Sequence, residues 1–239
     1  MNACFLNNEI EELAEGMMLQ YLGKHREIPP QVDIDGFVIN YLRLSVAYCS
    51  FAEDDMDKIG FISDGITPLR IMERGQPVSR VFSKGTVVLE QYLKGKKEDG
   101  RRRFTLAHEA SHFIMDRTVS VASFHREYDN ERSYSPQELR ELLSFREAQV
   151  DRLAAALLMP GFMVRNTLGR FAGTMTIPIY GDNLLRLEDK LLVKKMADAM
   201  GVSYTAFLIR LKELHLLERH DVSEYITREI GLGNGMVSP

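Results

Sequence analysis

The sequence has few cysteines and no long hydrophobic run. Its two cysteines, Cys4 and Cys49, lie far apart and do not form a CxxC pair. This pattern indicates neither a disulfide framework nor a thiolate metal site, so histidines and carboxylates must hold any metal. The longest stretch without a charged residue, 153–164, is interrupted by Pro160 and Gly161. It is too short for a membrane-spanning helix, which needs about 18 apolar residues.

The sequence also has no excess of positive charge. The 30 Lys and Arg residues are outnumbered by 34 Asp and Glu residues, which gives a net charge of −4. This balance excludes a polybasic protein that binds nucleic acid over its whole surface. The N-terminal sequence MNACFLNNEIEEL has an apolar stretch too short for a secretory signal. We therefore expect a cytoplasmic protein.

The order of apolar patterns predicts an α+β fold. Apolar residues at three- and four-residue spacing predict a helix over 8–22, and frequent Gly and Pro between short apolar bursts predict a small antiparallel sheet over 44–93. The charged run 94–103 predicts a solvated turn. Helices are predicted over 104–116 and over 135–159, the second opened by a capping box with Pro at its first position.

The motif His-Glu-Ala-Ser-His at residues 108–112 indicates a metal site. On a helix, His108 and His112 lie about 40° apart, so both imidazoles can bind one ion. Zn²⁺ suits such ligands, and Glu109 would face a water in the open coordination position. Chance alone gives HExxH in roughly one chain in a hundred of this length, so the motif needs a third ligand for support.

Two acidic residues further along the chain can complete the site. Glu147 and Asp151 stand one helical turn apart, where Glu147 can be the third ligand and Asp151 can accept a hydrogen bond from a metal-bound histidine. The alternative is an exposed helix face that pairs with Arg146 and Arg152. The apolar neighbours on this helix favour a buried carboxylate pair. Buried carboxylates need a strong compensating partner, and a dication is one.

Two sequence blocks resemble the signature of the ImmA/IrrE family of metallo-endopeptidases. They are RFTLAHEASHF at 103–113 and E-x-x-x-D-x-LAAALLMP at 147–160. The resemblance implies a zincin-like fold with a thermolysin-like site, and one zinc ion held by His108, His112 and Glu147. It also implies that the protein cleaves a helix-turn-helix repressor and so relieves repression. Ser111 stands where the family usually has Gly, and Asp151 where it often has Asn.

The resemblance makes Glu109 the catalytic acid and base, which takes a proton from the attacking water and returns it to the leaving amine. His125, Tyr128 and Tyr134, in the connection between the two helices, are candidate donors for the oxyanion or contacts for the substrate. Taken singly, each is more readily explained as a surface loop residue. We also expect an edge strand near residues 86–89 to hold a substrate segment by backbone pairing.

The C-terminal part, 166–239, is predicted as a separate helical region after a peptidase domain at 1–165. Its residues 191–217 resemble a helix-turn-helix, with a turn at Gly201 and Ser203 as the cap of the second helix. The buried face of that helix is predicted to comprise Phe207, Leu208 and Leu211. Residues 186–219 contain seven basic and five acidic side chains. This surplus of only two positive charges is too small to favour direct DNA binding. The contacts, if DNA binds, would be Lys194, Lys195, Arg210 and Lys212.

Two functions from different classes remain open on the sequence alone. The first is a zinc endopeptidase that cleaves a partner repressor. The second is a non-catalytic regulatory protein that uses the C-terminal helices on DNA or on a repressor. Glu109 favours the enzyme, because a purely structural metal site needs no base beside the ion.

Overall fold

The computed structural model divides into two compact units, one of residues 1–28 with 32–160 and one of residues 29–31 with 161–239. It describes residues 5–23, 28–54, 57–118 and 136–231, with only the backbone at 118, 136–144 and 228. Helices and small sheets follow one another along the chain, which confirms the α+β prediction. Among the described residues, no helix combines the length and the apolar character needed to cross a membrane.

The first unit begins with helix α1, Asn7–Leu22, as the apolar spacing predicted. Its buried side chains are four residues apart and are Ile10, Ala14, Met18 and Leu22. This stripe packs against a later helix of the same unit, α4, Pro136–Leu158. A short helix, α2, Ile34–Gly36, follows and continues as a π-helical turn over Phe37–Tyr41.

The strands of this unit form a three-stranded sheet and a hairpin. Their bounds are β1 Ser45–Cys49, β2 Gly60–Ile62, β3 Leu69–Glu73, β4 Gln76–Arg80 and β5 Thr86–Glu90. The sheet order is β1-β5-β2, while β3 and β4 pair with each other. Strand β2 is antiparallel to β5, but β1 is parallel to it. The prediction of a purely antiparallel sheet was therefore wrong for β1, because the long segment between β1 and β5 returns the chain to the same end of the sheet.

Strand β5 is the central strand, so the prediction that residues 86–89 form an edge strand was also wrong. Its first four residues are buried, and hydrogen bonds join it to strands on both sides. A continuous apolar strand covered on both faces is typical of a sheet interior. The edge strand of this sheet that lies against the following helix is β2.

Helix α3, Asp99–Thr118, begins earlier than predicted. Two 3₁₀ turns, Gln91–Lys94 and Lys96–Glu98, lead into it, so the predicted solvated turn at 94–103 was wrong over its second half. Asp99 lies in the first turn, where its negative charge interacts favourably with the helix dipole and stabilises the helix. Helix α3 packs against β2, β5 and α4, which places it between the sheet and the second long helix.

Arg102 anchors the start of α3. Its guanidinium donates to both carboxylate oxygens of Asp35, at 2.7 and 2.9 Å, and its Nη1 lies 3.4 Å from the hydroxyl of Tyr48. The hydrogen bond to Asp35 is the largest reason why the pKa of Arg102 is raised above its usual value. A two-pronged ion pair of this kind fixes orientation as well as distance.

The second unit combines helices with two short parallel strands. Its elements are α5 Gly161–Phe171, β6 Ile177–Tyr180, α6 Leu187–Met200, α7 Tyr204–Glu213, β7 Leu217–His220, α8 Val222–Tyr225 and a π-helical turn at Ile226–Ile230. Strands β6 and β7 pair in parallel.

Helices α6 and α7 are joined at Gly201, whose φ of 66° is left-handed and therefore suits glycine. Ser203 caps α7 by accepting a hydrogen bond from the amide of Ala206, as predicted. Phe207 and Leu211 are fully buried, and Leu208 is partly buried.

Arg210 is also fully buried on α7. It was predicted as a DNA contact, and that prediction was wrong because its guanidinium does not reach the surface.

Candidate metal centre

Three potential ligand atoms meet where α3 packs against α4. The Nε2 atoms of His108 and His112 are 3.1 Å apart. One oxygen of Glu147 lies 3.4 Å from Nε2 of His108 and 3.5 Å from Nε2 of His112. Residues four apart on α3 and one residue on α4 thus offer two nitrogens and an oxygen, all within 4.8 Å of one another. The structure therefore brings the three predicted ligands together.

Asp151 fixes the orientation of one imidazole. Its Oδ1 lies 2.9 Å from Nδ1 of His108. A carboxylate is only an acceptor, so Nδ1 carries the proton and the lone pair of Nε2 points towards His112 and Glu147. This is the contact predicted for Asp151, and metal-binding histidines commonly make such a contact.

The pKa values of the two imidazoles are shifted in opposite directions. Burial lowers the pKa of His108, but the hydrogen bond that His108 donates to Asp151 and the negative charges of Glu109, Asp151 and Glu147 outweigh it, so the pKa is raised. For His112, burial is the largest effect and lowers the pKa, and it outweighs the attraction of Glu147. Protonation is therefore less favourable on His112 than on His108.

Glu109 lies next to this cluster and is 8% exposed. Burial raises the pKa of its carboxyl to about 7, and the negative charge of Glu147 adds to the effect. His108, a backbone hydrogen bond from Ile62 and the charge of Lys58 act in the opposite direction. The side chain is thus held between the ligand cluster and strand β2, rather than being free in solvent.

The cluster opens onto a cleft of about 560 Å³. Its lining comes from the segment before and at the start of β2, from α3 and from α4, and comprises Asp57, Lys58, Ile59, Gly60, Phe104, Thr105, His108, Glu109, Glu147 and Asp151. The side chains of Glu147 and Asp151 are 50% and 55% exposed. The prediction that this carboxylate pair is buried was therefore wrong. Both residues line the open cleft.

The chemistry of these side chains fits a divalent metal ion. Two imidazole nitrogens and one carboxylate oxygen are a donor set that Zn²⁺ binds with a further position left open. Electron-pair donors and a negative charge at separations of 3.1–3.5 Å repel one another unless a proton or a cation lies among them. Asp151 already orients one ring for such an ion.

Ser111 differs from the glycine expected by the resemblance, and the structure accommodates it. The residue is fully buried, and its hydroxyl donates to the carbonyl oxygen of Ala107 at 2.8 Å. The buried polar group is therefore satisfied within its own helix. This substitution leaves the positions of the two histidines on α3 intact.

Some residues that line the site could not be predicted from the sequence. Three of the predicted contacts lie outside the described part of the chain. His125, Tyr128 and Tyr134, predicted as contacts for the oxyanion or the substrate, belong to residues that the structure does not describe. Lys58 and Gly60 line the cleft and were not predicted. In the sequence, residues 59–62 form only a short apolar stretch, and no spacing rule connects them to α3.

No curated protein matches the chain. The family model of the IrrE N-terminal-like domain, peptidase family M78, matches residues 92–212, just over half of the chain. This match includes α3 and α4 with their histidines and carboxylates, and it confirms the resemblance seen in the sequence. The chain therefore belongs to the IrrE N-terminal-like family of M78 metallopeptidases.

Proposed function

We propose that this protein is a zinc-dependent endopeptidase that cleaves a helix-turn-helix transcriptional repressor in the cytoplasm and so relieves repression. The observation that carries the proposal is the meeting of His108, His112 and Glu147 beside the buried carboxyl of Glu109. Family membership supports peptidase activity. The repressor as substrate follows from the family resemblance of the two sequence blocks.

In the proposed site, His108, His112 and Glu147 would hold one Zn²⁺ per chain. When bound, the ion would supply Lewis acidity towards a peptide carbonyl and a water of lowered pKa. Asp151 keeps the ring of His108 in the tautomer that leaves Nε2 available. Glu109 would take the proton of the attacking water on its carboxylate and deliver it to the nitrogen of the leaving amine.

The position of β2 at the edge of the sheet is an argument for a peptide as the substrate. In the β2–β5 pairing, the carbonyl of Ile59 accepts from Glu90 and the amide of Ser63 donates to Thr86. Residues alternate along an antiparallel strand, so the backbone groups of Gly60 and Ile62 point away from β5. The amide of Ile62 hydrogen-bonds to Glu109, so the groups offered to a substrate are the amide and carbonyl of Gly60 and the carbonyl of Ile62. A substrate segment in extended conformation could pair there, at the rim of the cleft. This mode favours flexible linkers over folded domains as targets.

We further propose that residues 1–165 form the zincin-like peptidase domain. Residues 166–239 would then be a helix-turn-helix-like region that docks the repressor. The capped turn at Gly201 and Ser203 supports the second assignment. The burial of Arg210 leaves fewer basic side chains for DNA, which supports a protein partner over direct DNA contact.

We expect a helix-turn-helix repressor to be encoded beside this chain, and the test is co-expression of the two proteins. We expect wild-type protein to produce two repressor fragments on a gel, and Glu109→Gln protein to bind zinc but leave the repressor intact. Zinc-loaded, folded wild-type protein that leaves the repressor uncut would contradict the proposal. Regulation that is unchanged by Glu109→Gln and lost on removal of residues 185–239 would instead support the non-catalytic regulatory protein.

A further inference from the structure

We infer that Gly60 is a positioning residue for Glu109: the missing side chain at residue 60 provides the space in which the Glu109 carboxylate is held against strand β2. This inference rests on the proposed function, because Glu109 is the proposed acid and base. It assigns a role to a residue of the sheet, 49 positions before Glu109, that the motif does not contain.

The steric evidence is direct. A Cβ atom built on Gly60 would lie 2.5 Å from Oε1 of Glu109 and 2.6 Å from Cγ2 of Thr105. Both distances are far below van der Waals contact, so no side chain larger than hydrogen fits unless a neighbour moves. Gly60 is absent from the glycines with positive φ. Its backbone therefore tolerates other residues, and the space taken by Glu109 and Thr105 is the reason that remains for glycine.

The surroundings determine which group moves when a methyl group is added. Strand β2 is fixed by its hydrogen bonds to β5 on either side of Gly60, at Ile59 and at Ser63. Thr105 is buried, and its hydroxyl donates to the carbonyl of Arg101 at 2.9 Å. The carboxylate of Glu109 is the end of a side chain with three rotatable bonds, so it yields most easily.

Displacement of this carboxylate also removes a specific contact. The amide of Ile62, which points away from β5 on the same strand, hydrogen-bonds to Glu109. Gly60 and Ile62 thus act together: one leaves room for the carboxylate, and the other binds it. Strand β2 orients Glu109 from the sheet side, while Asp151 orients His108 from the side of α4.

The test is Gly60→Ala in a Thr105→Ser background. Thr105→Ser removes the methyl group that would clash and keeps the hydroxyl, so the remaining clash involves Glu109 alone. With a peptide that spans the bond cleaved in the repressor, we expect kcat to fall roughly 100-fold. We expect KM to change by less than about 2-fold and bound zinc to remain at one per chain, because the metal ligands are untouched.

The matched control is Gly16→Ala. Gly16 is exposed on α1, and an added Cβ would meet no heavy atom within 4 Å. We expect this variant to have wild-type kcat and KM. A Gly60→Ala variant with wild-type kcat would overturn the inference, and so would one that loses activity only because it loses zinc.

A second measurement does not depend on activity. In metal-free protein with Thr105→Ser, we expect Gly60→Ala to lower the melting temperature by about 3 °C when Glu109 is present. We expect little or no loss when Glu109 is replaced by Ala, because the clash is gone. Equal losses in both backgrounds would overturn the inference whatever the activity. If this coupling is found but wild-type protein cleaves nothing, the proposed function has failed while the packing of Gly60 on Glu109 stands.

Discussion

Asp151 accepts a hydrogen bond from Nδ1 of His108 at 2.9 Å, although the two residues are 43 positions apart and lie on different helices. The bond links the helix that carries both histidines to the helix that carries Glu147. It therefore orients an imidazole and also holds α3 and α4 in register at the cleft. The site depends on this pairing as much as on the HExxH motif.

We predict that Asp151→Ala weakens zinc binding by about 10- to 100-fold, because the ring of His108 loses its oriented tautomer. Asp151→Asn keeps an acceptor oxygen without the charge and should have a smaller effect. Competition with a chromophoric chelator measures both affinities. Asp198→Asn, on α6 in the other unit, is the control and should bind zinc as wild type does.

We predict that Glu147→Gln lowers zinc to well below one ion per chain under conditions in which wild-type protein is saturated. The substitution removes the negative charge from the only ligand that α4 contributes to the described cluster. Metal analysis after gel filtration measures the ratio. Chelator treatment of wild-type protein should likewise abolish cleavage, and added zinc should restore it. Full zinc occupancy in Glu147→Gln would show that the third ligand has been misassigned.

The buried carboxyl of Glu109 predicts a pH-dependent stability in metal-free protein. Its pKa is raised from 4.5 to about 7 by burial and by Glu147. The folded chain therefore binds this proton more tightly than the unfolded chain, and its stability falls as pH rises from about 4.5 to 7. Glu109→Gln removes this loss. We predict that metal-free Glu109→Gln is more stable than wild type at pH 8, by up to about 3 kcal/mol.

Urea unfolding of chelator-treated protein at pH 4.5 and pH 8 measures this difference. Lys58, His108 and Glu147, whose charges act on Glu109, are the same in both proteins, so the comparison reports on the side chain of residue 109. A stability difference of the same size at both pH values would contradict the prediction, because it would show that folding does not raise the pKa of Glu109.

The ion pair at the start of α3 predicts a stability effect away from the cleft. Arg102 donates to both oxygens of Asp35, and its side chain is only 17% exposed. Lysine cannot make this two-pronged contact. We predict that Arg102→Lys lowers the free energy of unfolding by about 1–2 kcal/mol, measured by denaturant melts. Arg80→Lys, in a pair where both side chains are about half exposed, should change it by less than about 0.5 kcal/mol.

The parts of the site predicted from the sequence are those that follow from helical spacing. His108 and His112 had to share a face because they are four residues apart, and Glu147 and Asp151 had to do so for the same reason. Their meeting across two helices was predicted from the donor chemistry and from the family resemblance. The structure places all four side chains in one cluster.

The parts that could not be predicted depend on contacts between segments far apart in the sequence. Residues 86–89 have the apolar pattern of a strand, but the pattern cannot show that neighbours pair on both sides. Gly60 has no signal of its own, because its importance comes from the side chain of Glu109 packed against it. Arg210 was expected at the surface as a charged residue, yet the fold buries it completely.

The central place of β5 has a consequence for how the chain is made. Both of its neighbours, β1 and β2, precede it in the sequence. As the protein leaves the ribosome, those two strands have no partner in this sheet until β5 emerges, and helix α3 follows soon afterwards. When α3 emerges, its two histidines therefore lie on a helix that packs against a newly formed sheet. The ligand cluster is assembled only after α4, which carries Glu147, has been translated.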